Sequence, residues 1–252
     1  MAATTTIPRI QTIGLGWYLF AVTPRIVLYG PRVMPLTEKV GRALRVKRLA
    51  FEVVEPASAE DYRRLSPETG LLPVLEVDGT RSPDSAAILD FLDGRFPDPP
   101  LVSSNLRVAR EQRRLEQWID QTLAFYMLRW VRALIGPDVP LPVAGGGFPA
   151  GSLSKLGLLD AEGKIHSEVF DPRAGGPGDE FRRRLDDLEQ MLGPRRYFYS
   201  DRISRADLSV CASLSVMYRD AYPGARARLA ERKALFDHVE RVLVETGGAE
   251  PI

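Results

Sequence analysis

Four residues in one short stretch, Leu72, Pro73, Asp84 and Ser85, are of the types that capture a small zwitterionic ligand. Pro73 opens an apolar run, Val74-Leu75-Glu76-Val77, where a proline removes a donor that a sheet would otherwise have to satisfy. A cis Leu72-Pro73 bond explains that placement, since it turns the main chain outward and leaves the N-H and C=O of Leu72 free for a peptide-like ligand. Pro83-Asp84-Ser85 then starts a helix whose free N-H groups and positive dipole end suit a carboxylate. Ser85 adds a hydroxyl, and Asp84 offers a negative charge to an ammonium. An α-amino acid headgroup carries both charges. Asp84 and Ser85 are also residue types that cap helices, and that plainer role stands beside the first.

The elements that must hold these residues follow from periodicity. Residues 25–29 form a β-branched strand, and Pro35 at a first helical position begins a helix with Val40, Ala43 and Leu44 inward. A second strand over 49–54, a helical turn over 59–65, the strand after Pro73, an Asp78-Gly79 hairpin, a short return strand over 80–82 and the Ser85 helix complete a βαβαββα order. A parallel pair followed by an antiparallel hairpin describes an α/β, thioredoxin-like domain over 25–97, after an extension of residues 1–24. Pro97-Asp98-Pro99-Pro100 makes a rigid boundary, and 98–104 is the linker.

From 105 to 252 the pattern is all helical. Leu115, Trp118, Ile119, Leu123, Tyr126 and Trp130 recur at helical spacing. A Gly/Pro-rich insertion covers 136–178, with room for a short helix near 152–159, and is too long to be a plain connector. An amphipathic helix follows over 181–192. Ser204 and Asp207 cap an apolar helix whose lack of a polar face places it, and Cys211 within it, at the centre of the bundle. A last helix runs over 233–246 and stops at Gly247-Gly248.

Composition excludes several classes. Lys plus Arg number 34 against 33 Asp plus Glu, so no charge excess advertises nucleic acid or an anionic membrane. The one cysteine excludes an internal disulfide or a CxxC redox pair and favours a reducing, cytoplasmic compartment. Two histidines far apart give no support to a metal site. The apolar run GLGWYLFAV has nine residues, well short of the roughly twenty that span a bilayer.

Three motifs in order resemble the cytosolic glutathione transferases. They are Ile26 to Tyr29 with Pro35 to Leu44, Leu72-Pro73 through Asp84-Ser85, and Ser204-Arg205-Ala206-Asp207. The resemblance implies a thioredoxin-like domain joined to an all-α bundle, a homodimer, glutathione as co-substrate and a small hydrophobic electrophile as second substrate. It implies that Asp84 and Ser85 hold the γ-glutamyl ammonium and carboxylate while Leu72, beside Pro73, holds the cysteinyl backbone. A Ser, Cys or Tyr of the family donates a hydrogen bond to the thiolate, and here the Ser/Cys position is Met34, whose thioether cannot donate. Tyr29, Thr37 and Arg32 are the substitutes, each with a structural alternative: core packing, a bond to its own backbone, and a solvated loop charge. Lys39 is either a partner for the glycyl carboxylate or a surface charge. Trp118, Phe125, Tyr126 and Trp130 line an electrophile pocket or pack the core. A protein that kept the fold and lost the chemistry is the alternative to a transferase.

Overall fold

A computed structural model describes residues 24–67, 72–135, 177–222 and 224–252. The first unit is built from β1 (Ile26–Tyr29), α1 (Pro35–Val46), β2 (Glu52–Val54), α2 (Ala59–Leu65), β3 (Val74–Val77), β4 (Thr80–Pro83) and α3 (Ser85–Arg95). The sheet order is β2-β1-β3-β4, with β1 parallel to β2 and the β1/β3 and β3/β4 pairs antiparallel. This is the thioredoxin-like arrangement that the motif order predicts. Strand alternation sorts the side chains: Ile26 and Leu28 pack on α1 and α3, whereas Tyr29 and Val74 face Leu65 and Leu72 on the opposite side. Asp78 and Gly79 both have positive φ, 50° and 83°, which is the backbone a two-residue hairpin needs.

β2 is shorter than the expected 49–54 strand. The Leu49 amide bonds back to the Leu44 carbonyl at 3.0 Å, so the residues after α1 close that helix before the strand starts. The segment that follows α3 is held to the end of α1 by one buried cation. Lys47 Nζ donates to the carbonyls of Phe96 and Pro99 at 2.6 and 3.0 Å and pairs with Asp93 at 2.7 Å.

The second unit contains α4 (Leu106–Trp118), a π-helical segment over Ile119–Leu123, α5 (Ala124–Ile135), α6 (Pro177–Leu192), α7 (Arg205–Tyr218), α8 (Ala225–Ala230) and α9 (Lys233–Glu245). α6 starts four residues before the expected 181, because Pro177 fits a first helical turn that needs no donor. Ser204 caps α7 as its sequence predicts: Asp207 accepts from the Ser204 amide at 2.8 Å and its hydroxyl at 2.7 Å. α7 is buried nearly all round, and Cys211 within it is fully enclosed, where burial pushes its thiol up to about 12. Enclosed among core side chains with no exposed surface, it is packing, not a nucleophile. Residues 1–23 of the 1–24 extension, 136–176 of the 136–178 insertion and the short helix expected near 152–159 lie outside the described residues, and the last two insertion residues, Pro177 and Gly178, open α6.

Candidate functional site

Two helix N-termini and one loop frame the candidate site. Asp84 caps α3, its Oδ1 accepting from the amides of Ala86 and Ala87 at 3.0 and 3.1 Å. Both capping bonds end on the same oxygen and the residue is exposed, so among the described residues nothing occupies Oδ2, which can meet a cationic group. Its backbone stands at φ 71° and ψ 122°, a conformation an L-residue adopts at a cost of about 1–3 kcal/mol. Ser85, the first residue of α3, is buried, and the Leu72-Pro73 bond is cis. Leu72 packs with Val74 and Leu65 against Tyr29 and Tyr62.

α1 supplies the second N-terminus. Met34 is its N-cap and bonds no amide with its side chain, while Pro35 follows at the first helical position. The Met34 thioether is buried at 4% exposure, so a packed apolar group fills the place where the resemblance expects a sulfur partner. Thr37, one turn in, is fully buried, and its Oγ1 finds no hydrogen-bond partner. The hydroxyl lies against Gly30 at the end of β1, where an added Cβ would sit 2.4 Å from it.

The remaining expected donors are engaged elsewhere. Tyr29 lies on the α2 side of the sheet in the Leu72 cluster, with the Arg81 guanidinium 5.6 Å from its ring centre. Arg32 donates to the Ile252 carbonyl at 2.7 Å and the Val53 carbonyl at 3.3 Å and pairs with Glu55 at 3.2 Å. A thiolate would have to displace those oxygens.

Lys39 is neither a surface charge nor free for a ligand carboxylate. It is fully buried, and its Nζ bonds Glu116 at 3.0 Å and Asp120 at 2.6 Å. Burial alone lowers its pKa, but the two carboxylates outweigh that and hold it above the usual lysine value. α1 is buried on both faces, with Val40, Ala43 and Leu44 on the sheet side and its charges met by the helical unit. Glu38 accepts from Arg42 (Nε, 2.8 Å), Arg219 (Nη1, 2.8 Å) and Ser215 (Oγ, 2.9 Å). Sequence reasoning missed Glu116, Asp120 and Arg205. Their one local signal is the four-residue spacing of Glu116 and Asp120, matched by Glu38 and Arg42 on the opposing helix.

The four aromatic candidates divide. Trp130 is buried and stacks on Phe181 at 5.1 Å, and Trp118 packs on the core. Phe125 and Tyr126, edge to face at 5.2 Å, are half-buried like Trp118, and Tyr126 also packs on the core with the Arg184 guanidinium 4.9 Å from its ring centre. Among the described residues no group of His, Cys, Asp and Glu is placed to hold a metal ion, and no helix is long and apolar enough to cross a membrane.

Comparison with known proteins adds to this geometry. Residues 28–100 match the family model described as glutathione S-transferase, N-terminal domain. Maleylacetoacetate isomerase of Pseudomonas aeruginosa strain PAO1 is 31% identical over 180 residues, covering 69% of this chain and 70% of that protein. Among solved structures, a glutathione S-transferase from Rhodospirillum rubrum F11 superposes with a TM-score of 0.61 at 23% identity, over 90% of this chain and 96% of its own. A glutathione S-transferase from Methylobacterium radiotolerans JCM 2831, solved in complex with glutathione sulfonate, superposes with a TM-score of 0.61 at 22% identity, over 90% and 97% of the two chains. The matched first unit, the helical second unit and the relative that spans both agree, and the chain belongs to the glutathione S-transferase superfamily.

Proposed function

We propose that this protein binds reduced glutathione between the N-termini of α1 and α3 and conjugates it, through its sulfur, to small apolar electrophiles. The coarser statement, a glutathione-dependent activity of the transferase type, has the support of the family and of the named relative. The observation that carries the finer one is Asp84. Its positive-φ backbone is a conformation that helix capping alone does not demand, and it sets a second carboxylate oxygen, beyond the one used in capping, beside Ser85 and the first amides of α3. That grouping fits the γ-glutamyl ammonium and carboxylate, with the Leu72 backbone serving the cysteinyl residue.

The glutathione sulfur then lies toward the start of α1. Its proton passes to solvent, the thiolate attacks the electrophilic carbon to form a C-S bond, and any leaving group departs with its electron pair. The Leu36 and Thr37 amides and the helix dipole favour the anion, and the Thr37 hydroxyl, buried in that turn without a partner, is the candidate side-chain donor. Phe125 and Tyr126 supply an apolar wall for the electrophile. The working unit is a homodimer in the cytoplasm.

The buried Met34 favours a second reading, a glutathione-fold binding or scaffold protein without chemistry. Calorimetry with reduced glutathione and conjugation rates with a panel of aryl halides and enals separate the two. Heat of binding with no rate above the uncatalysed one points to the scaffold; no heat at millimolar glutathione sinks both. Met34→Ser places a hydroxyl where the thioether sits and is expected to raise the conjugation rate at least about tenfold.

A further inference from the structure

Both helices that frame the site are tied to one carboxylate of the helical unit. Glu116 on α4 is 3% exposed, and its two oxygens are used separately. Oε1 accepts from Lys39 in the second turn of α1 at 3.0 Å, and Oε2 accepts from Arg205 Nε. Arg205, 1% exposed at the start of α7, reaches on to α3, where Nη2 donates to the Ala86 carbonyl at 3.1 Å and Nη1 to Asp90 at 2.5 Å. Ala86 is the neighbour of Ser85, and Lys39 lies one turn beyond Met34 and Pro35.

We propose that Glu116 is a positioning residue for the two helix N-termini, fixing the spacing of the sulfur end of the site relative to its γ-glutamyl end. It touches no ligand in this arrangement. It acts through Lys39 on α1 and through Arg205 on α3, and for glutathione the inference rests on the reading above. Each cation also has a second carboxylate: Lys39 bonds Asp120 at 2.6 Å, and Arg205 bonds Asp90. Removing the Glu116 charge therefore leaves both cations paired, and what is lost is the common anchor. A buried ion pair contributes little net stability against an apolar replacement, which fits a role in geometry.

Hydrogen exchange read by mass spectrometry on the full chain tests this without any ligand. Glu116→Gln is expected to speed exchange at least tenfold at the amides of 36–42 and 86–90, while α9 keeps its wild-type protection. Lys39→Met is expected to loosen the α1 amides alone, and Arg205→Lys the α3 amides alone. Uniform acceleration over all helices, or none, in Glu116→Gln would overturn the proposal. If Glu116→Gln does not fold, the one-sided pattern of the two single-cation variants decides the matter, and equal loosening of both helices in either one overturns it. Glutathione calorimetry on the same proteins then reads the function separately. A wild type that binds nothing refutes the glutathione reading and leaves the exchange result standing. A wild type that binds is expected to do so at least tenfold more tightly than Glu116→Gln, while Val242→Ala, in α9, binds as wild type at matched loss of stability.

Discussion

At the scale of single residues, capping and ligand contact are separable at Asp84. Asparagine caps a helix about as well as aspartate, so Asp84→Asn is expected to keep stability within about 1 kcal/mol while losing the charge that meets an ammonium. Glutathione affinity by calorimetry then falls about tenfold, the order of one charge-assisted bond. Thr37 asks the reverse question. A buried hydroxyl without a partner carries an unmet desolvation cost, so Thr37→Val is expected to leave the urea midpoint unchanged or raise stability by about 1 kcal/mol. A fall in conjugation rate in that same variant identifies the hydroxyl as the sulfur's donor; an unchanged rate leaves the α1 amides in that role.

At the scale of elements, the π-helical turn between α4 and α5 and the capped α7 carry the buried polar groups. Asp120 sits within that π turn and reaches Lys39, so the irregular segment lies at the join between the two units. Asp207, in the first turn of α7, also faces His238 of α9, Oδ1 to Nε2 3.6 Å apart, both fully buried. Burial pushes the His238 imidazole down to about 4, below its ordinary 6.5 in the unfolded chain. Between about pH 4 and 6.5 the unfolded state therefore binds the extra proton, and this residue adds stability as pH rises, by up to about 1.4 kcal/mol per unit. His238→Gln lacks that contribution. Its deficit against wild type is expected to widen from pH 4 to 6.5 and to level off above, as measured by urea unfolding at each pH.

The elements whose signals are local were legible before any coordinates. Pro73, Asp78-Gly79, the Asp84 turn and the Ser204 to Asp207 cap each act within a few residues, and each forms as its residue types dictate. The polar join was not legible, because its partners lie 77 and 89 residues apart and a buried lysine reads locally like an exposed one. The same holds for Arg32, whose partner carbonyl is 220 residues away. The geometry of the candidate site was thus readable at α3, where backbone and cap form within a few residues, and unreadable at α1, where burial from the second unit decides which groups are free.

On the whole-molecule scale, the chain returns to its first helix. Residues 246–252 lie along α1, with Arg42 donating to Thr246 Oγ1 at 2.7 Å and the Gly248 carbonyl at 3.3 Å, and Arg45 to the Thr246 carbonyl at 2.9 Å. Ile252 is buried against Gly41, where a Cβ would lie 2.2 Å from its side chain. Gly41→Ala is expected to cost about 1–3 kcal/mol through overpacking. Ile252→Ala in the same protein should restore part of that loss, and a double-mutant cycle on thermal unfolding measures the coupling.

Cys211, enclosed at the centre of the bundle, is the sole sulfhydryl in the chain. A thiol-reactive dye therefore has one place to go and reaches it only when the helices part. The rate of labelling of the purified protein is a clock for that opening, slowed by any thiol-free ligand that grips the closed form.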